Sequence, residues 1–227
     1  TNAYLSFRTA APVALSGTLD LRSGALLDVS EDPRHDLTLL AGSQIVGQGT
    51  LRLFNSNQLI LETDTQLPMP VVLNNTSRIS GPGLLTLVGT HTLAGPYDTV
   101  IEVPSGSTAL INTATLTTNL VVQPGGTLGI LDNQTLTIHG VLTNAGTLQM
   151  ASRNVNTYLN GSGRIEIPGL LRIFPSGTTY GNYANVYLPV HVPAGGQILI
   201  DTNAYLNFRS GAPLSVSGTL DLRSGAL

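Results

Sequence analysis

Residues 121–150 read VVQPGGTLGILDNQTLTIHGVLTNAGTLQM. Two features recur within these thirty residues. The first is a phrase of Gly, any residue, apolar, any residue, apolar: GTLGI from Gly126 and GTLQM from Gly146, twenty residues apart. Its period of two is that of a β-strand with one buried face. The second is turn chemistry just before each phrase, Gln123-Pro124-Gly125 and Thr143-Asn144-Ala145, where Pro, Gly and Asn favour a bend. A further short alternating run, Thr135-Leu136-Thr137-Ile138, opens after Asn133.

The phrase runs through the whole chain. It starts at Gly17, Gly49, Gly83, Gly106, Gly126, Gly146, Gly163, Gly196 and Gly218. The copy from Gly106 puts Thr108 where the others have an apolar residue. The intervals are 32, 34, 23, 20, 20, 17, 33 and 22 residues and total 201. Spacing this uneven suits a solenoid, whose coils share inward strands and let surplus residues leave as loops. It predicts eight coils of about 25 residues, with excursions at 27–37, 62–75 and 175–187. One inner column should hold Leu19, Leu51, Leu85, Leu128, Leu148, Ile165, Ile198 and Leu220. The next should hold Leu21, Leu53, Leu87, Leu110, Ile130, Met150, Ile167, Ile200 and Leu222. At a strand spacing of about 4.8 Å, eight coils advance roughly 38 Å. No segment carries a 3.6-residue apolar stripe with caps, so helix should be scarce.

The total of 201 coincides with a longer repeat. Residues 1–26 return as residues 202–227, with 20 of 26 positions identical. The expectation is that 1–201 form one complete repeat and 202–227 begin the next, a slice of a tandem array. Each end would then be a mating surface, with head-to-tail association of neighbouring repeats.

Composition sets limits on function. Hydrophobic residues make up 41% of the 227, enough for a core, while charged residues make up only 10%. All ten basic residues are Arg, and the net charge is −3, which argues against nucleic acid as a partner. No cysteine is present, which excludes disulfides, thiolate metal sites and cysteine nucleophiles. No apolar run reaches 18 residues, so no membrane span is expected, and the start TNAYLSF does not read as a signal peptide.

Together with residues 67–89, LPMPVVLNNTSRISGPGLLTLVG, the stretch quoted first resembles the right-handed parallel β-helix regions of large bacterial surface proteins. These are the adhesins of the filamentous-haemagglutinin type and autotransporter passenger domains. The resemblance covers nearly the whole chain. It implies an all-β, right-handed parallel β-helix and a place outside the cell or on its surface.

The polar residues offer few candidate sites. Glu31, Asp32, Arg34, His35 and Asp36 form the densest charged cluster, where carboxylates on a loop would suit a hard cation. Their spacing matches no calcium-binding loop, so a solvated loop is the preferred reading. Glu62 and Asp64 would share one side of an extended segment, the minimum for glycoside hydrolysis. Arg164 with Glu166, Asp20 with Arg22, and its copy Asp221 with Arg223 each place an acid and a base on one outward face. His35, His91, His139 and His191 lack zinc-binding spacing. Thr115-Leu116-Thr117 and Thr135-Leu136-Thr137 lie twenty residues apart and should stack as a threonine ladder. Asn74, Asn75, Asn133 and Asn160 satisfy N-x-S/T, but turns and ladders are the better use of the asparagines.

The sequence reading is therefore of a structural segment of a very long extracellular fibre or stalk, with no catalytic, cofactor or metal residues. An adhesin module that binds a glycan or host surface through side loops is the alternative. A polysaccharide lyase or hydrolase ranks third. Expected partners are neighbouring repeats, lateral bundles of fibres, and weak carbohydrate contact.

Overall fold

The structure is a computed structural model, and it describes residues 3–7, 11–29, 36–74, 76–152, 155–178, 181–209, 211 and 213–226. Among these residues all regular structure is strand, and all strand pairing is parallel. The chain winds as a three-faced β-solenoid.

One turn shows the construction. Thr127–Ile130 lies on the first face, Thr135–Ile138 on the second and Val141–Asn144 on the third. The next turn repeats the order as Thr147–Ser152, Thr157–Gly161 and Arg164–Glu166. The register is strict: Leu128 pairs with Leu148, Leu136 with Leu159, and Leu142 with Ile165. Alternate residues point inward, so each of these leucines and Ile165 is at most 1% exposed. Turns vary in length because the corners, not the strands, absorb extra residues.

The faces continue in both directions. Tyr4–Ser6, Leu26–Val29, Thr50–Leu53 and Val71–Leu73 form the early first face, and the last of these packs against Thr90–Asp98. Thr90–Asp98 and Thr108–Leu116 each run nine residues round a corner without a break. They join the first and second faces into one 15-stranded sheet. The third face carries Thr18–Leu21 paired with Gln44–Gly47, then a stack of eight strands from Thr65–Leu67 to Leu214–Val216.

This winding corrects the expected columns. The Gly-led phrase does not mark one place in every coil. Leu128, Leu148, Ile198 and Leu220 do stack on the first face, with Ala109 and Leu171 completing their column. Leu51 lies on the early first face, but Leu85 and Ile165 lie on the third, as does Leu19. The phrase marks a tight corner, and the solenoid has such a corner before both the first and the third face. Leu110 points outward against Gly129 instead of filling the second column. The pairing of Ala109 with Leu128 shows why: Gly106 matches Gly125, one residue earlier than the phrase implies.

The expected excursion at 62–75 is ordinary coil, since it contains the strands Thr65–Leu67 and Val71–Leu73. That at 27–37 begins and ends in strand, where Leu27, Val29 and Leu37 are core residues, and its residues 30–35 lie outside the described residues. The third is present but shorter. The chain leaves the sheet after Pro175 and returns at Ala184, and Leu171 is followed by its partner Ile198 only 27 residues later.

The corners explain the glycines. A Cβ at Gly146 would lie inside the contact distance of Gln123 O and Gly126 O of the turn beneath. Backbone stacks directly on backbone there, and no side chain fits. Asparagines tie other corners together. Asn57 donates through Nδ2 to Val29 O, and Asn144 to Leu170 O, both at 2.8 Å with side chains fully buried.

Leu148→Ala should cost about 2–5 kcal/mol, as a cavity in a column that neighbouring turns hold open. Gly146→Ala should cost about 1–3 kcal/mol through displaced corner backbone. Val72→Ala, at an outward position, should stay within about 0.5 kcal/mol. Urea unfolding followed by the far-ultraviolet circular dichroism of the strands checks all three.

Candidate functional site

Outward side chains form rows along each face, and the third face carries a long polar one. Its register runs Gln66, Thr86, Glu102, Val121, Thr143, Glu166, His191 and Ser215. The early part of this row lies in a groove of about 620 Å³, with Gln44, Asp64, Gln66, Thr86 and Glu102 among its lining and Pro68 and Val88 as apolar wall. Glu102 is held at both oxygens: Gln123 Nε2 donates to Oε1 at 2.6 Å and Thr86 Oγ1 to Oε2 at 3.4 Å. Asp64 Oδ1 accepts the backbone N–H of Leu84 at 2.8 Å and thereby ties two corners. These carboxylates are fixed acceptors. The groove presents the amides of Gln44 and Gln66 and carboxylates to solvent, with the Thr86 hydroxyl buried beside Glu102, a surface suited to hydrogen-bonding a hydroxyl-rich chain.

The structure places the other candidates as follows. Glu62 and Asp64 sit on the exposed corner between Gln58–Leu61 and Thr65–Leu67, and Asp64 serves the backbone. Glu31, Asp32, Arg34 and His35 lie outside the described residues. Asp36 opens the strand Asp36–Leu39 and is half-buried. Arg164 and Glu166 do pair, Nε to Oε1 at 3.2 Å, and His191 Nδ1 meets Glu166 Oε2 at 2.6 Å, so the three make an exposed cluster across two turns. His139 Nδ1 meets Ser162 Oγ at 2.9 Å. Among the described residues no three His, Asp or Glu side chains converge in a way that could hold a metal ion.

The threonine ladder is shifted from its expected register. Thr115 pairs with Thr137, not Thr135, because that turn holds 22 residues. Thr137 Oγ1 then donates to Asn160 Oδ1 at 2.7 Å, so the row is mixed. Thr117 turns away to Asp98 at 2.7 Å. Asn133 adopts a left-handed turn conformation with φ of 60°, and Asn74 Oδ1 accepts from the backbone of Thr76 and Ser77. Asn75 lies outside the described residues.

Two buried carboxylates escape a sequence reading. Asp28 is fully buried, accepting from Tyr4 Oη at 2.6 Å and Arg52 Nε at 3.0 Å, with a second bond from Arg52 Nη2. That bond to Asp28 raises the Arg52 pKa against the opposing effect of burial. Arg52 also lies 5.5 Å above the Phe54 ring. Asp201 accepts from Arg172 Nε at 2.7 Å and Arg223 Nη1 at 3.0 Å. Each carboxylate clips three successive turns at one edge. The signal in the sequence is an Asp and an Arg one turn apart, which is visible only once the turn length is known.

His91 occupies an inward position on the first face, 2% exposed, where its neighbour in register is Ala109. Its Nε2 meets Val88 O at 3.0 Å, and Nδ1 has no partner. Burial lowers its pKa, and the bond to the Val88 carbonyl opposes the shift only in part. It is a neutral core histidine.

Comparison with protein-family models, with curated proteins and with solved structures gives no match.

Asp28→Ala should cost about 1–3 kcal/mol, because Arg52 and Tyr4 lose their acceptor; urea unfolding reads this. His91 makes stability depend on pH. The unfolded chain takes up a proton near pH 6.5, and the folded chain resists it to lower pH. Stability should therefore fall as pH drops through about 6.5. In His91→Leu that slope between about pH 6.5 and 5 should shrink, as measured by urea midpoints across pH.

Proposed function

We propose that this chain is a structural segment of a long, tandemly repeated fibre or stalk on a cell surface. The observation that carries the reading is the return of residues 1–26 as 202–227 at the two ends of a solenoid. At these ends core residues lie open: Leu5 at one, Leu214, Val216, Leu220 and Leu222 at the other, each 38–59% exposed. Elsewhere the same inward positions are nearly fully buried. Apolar surface of this kind calls for a further turn above and below, and the next repeat supplies it. Stiffness follows from continuous parallel ladders and a dry aliphatic core. The extracellular, bacterial setting rests on the resemblance of the coil phrases to giant surface proteins. Among the described residues no helix is long and apolar enough to cross a membrane.

An adhesin role is the second reading, and the groove of Gln66, Thr86 and Glu102 favours it. A neutral glycan would lie along the row and exchange hydrogen bonds with its amide and carboxylate groups. The segment is not read as an enzyme, since Asp64 and Glu102 are engaged as structural acceptors.

Chains of one, two and three repeats should give rods that lengthen by about 45 Å per repeat, at about 4.8 Å per turn. Electron cryomicroscopy of the purified chains measures this. Particles that widen without lengthening would remove the fibre reading. Binding in a glycan array that is lost in Glu102→Ala would move the adhesin reading ahead.

A further inference from the structure

The duplicated segment does not return to the face where it began. In the first copy, Tyr4–Ser6, Val13–Leu15 and Thr18–Leu21 lie on the first, second and third faces. In the second copy, Leu206–Phe208 pairs with Ala184–Val186 on the second face. Leu214–Val216 pairs with Val190–Val192 on the third, and Thr219–Leu222 with Gln197–Ile200 on the first. Every strand has moved on by one face.

The strand count gives the same result. The 29 strands among the described residues include two that each cover two faces, so thirty-one strand positions follow in strict rotation. From each strand of the first copy to its counterpart is twenty-eight positions, or nine turns and a third. The intervals between the Gly-led phrases agree. The spacings of 20, 20 and 22 join phrases on the same face, while 17, 23, 32, 33 and 34 join first-face and third-face phrases.

The two copies also show what a junction supplies. A Cβ at Gly17 would meet nothing within 4 Å, whereas at its counterpart Gly218 it would collide with Gly196 O of the turn beneath. Among the described residues Arg22 reaches only Asp20, two residues before it, at 3.4 Å. Its counterpart Arg223 reaches Asp201, the residue just before the second copy begins. The second copy is thus seated on a preceding repeat. The first copy shows how the following turns are laid on it, with Val13 under Leu37 and Leu15 under Leu39.

We propose that the open end formed by Leu206–Phe208, Leu214–Val216 and Thr219–Leu222 is the docking surface for the rest of a further repeat, and that each repeat is turned by one face relative to the last. This rests on the tandem-array reading. The rotation brings the polar groove to each of the three sides in turn, and the original orientation recurs every third repeat. Any lateral partner, whether a second fibre or a glycan, then meets the same row from every side. The axial rise is about 45 Å per repeat, and the full period is about 134 Å at 4.8 Å per turn.

The chain has no cysteine, so paired labels can be placed cleanly. His191 and Ser215 are exposed register partners on the third face. Nitroxides on His191→Cys/Ser215→Cys should lie one strand spacing apart, about 5 Å, and give a strongly broadened spectrum. A sharp spectrum from protein with native circular dichroism would overturn the rotation, since it would put the two residues on different faces. This measurement uses the present chain and does not depend on an array. In a three-repeat chain with Gln66→Cys in every repeat, gold labels should appear at three azimuths by electron cryomicroscopy. Labels along one line would overturn the rotation and leave the array standing. A compact particle would overturn the array and the docking with it.

Discussion

In-register stacking of parallel strands is the interaction on which everything else in this molecule depends. Each turn donates and accepts backbone hydrogen bonds with the turns beside it, and the register fixes which side chains meet. Once Leu128 pairs with Leu148, the inward positions of both turns are committed to one column. The same register brings corner backbone onto corner backbone, which is why Gly146 and Gly218 tolerate no side chain. Core and corners are thus two consequences of one ladder.

Charge has a structural task in this design. The chain holds few charged residues, and several sit at turn edges where they bind across the stack. Asp28 and Asp201 each gather partners from the turns on both sides. Asp64 caps a backbone amide, and Glu102 is held by Gln123 and Thr86. A carboxylate fixed in this way contributes to a surface that a polar chain can lie against. His91 is the exception, a titratable group inside an aliphatic column, and it makes acid the condition to which the stack is sensitive.

A solenoid of this kind is extended by addition, because each turn needs only its neighbours. The open apolar ends and the duplicated segment belong to that logic. A repeat of nine and a third turns has a consequence that a whole number of turns would not. In the proposed array, surface features would spiral round the stack, and no side of the rod would be set apart from the others.

The sequence by itself determined the strand class, the solenoid and the repeat. Alternation of apolar residues after Gly fixes a half-buried strand, and uneven spacing of such strands is compatible with few other folds. The 201-residue offset is plain in the letters. The faces were not legible, since a Gly-led strand looks the same whether it follows the corner before the first face or the one before the third. The expected count of about eight coils came close to the nine and a third of the structure, but that ambiguity put Leu19, Leu85 and Ile165 in the wrong column and shifted Thr115 from Thr137 to Thr135. Nor could the sequence identify Asp28 and Asp201 as clips, because their arginine partners are neighbours only across turns. Only the tertiary structure decided these points. Hydrogen-bond register between turns depends on the length of every intervening corner, and that length is set by packing against the turn below, not by the residues of the corner alone.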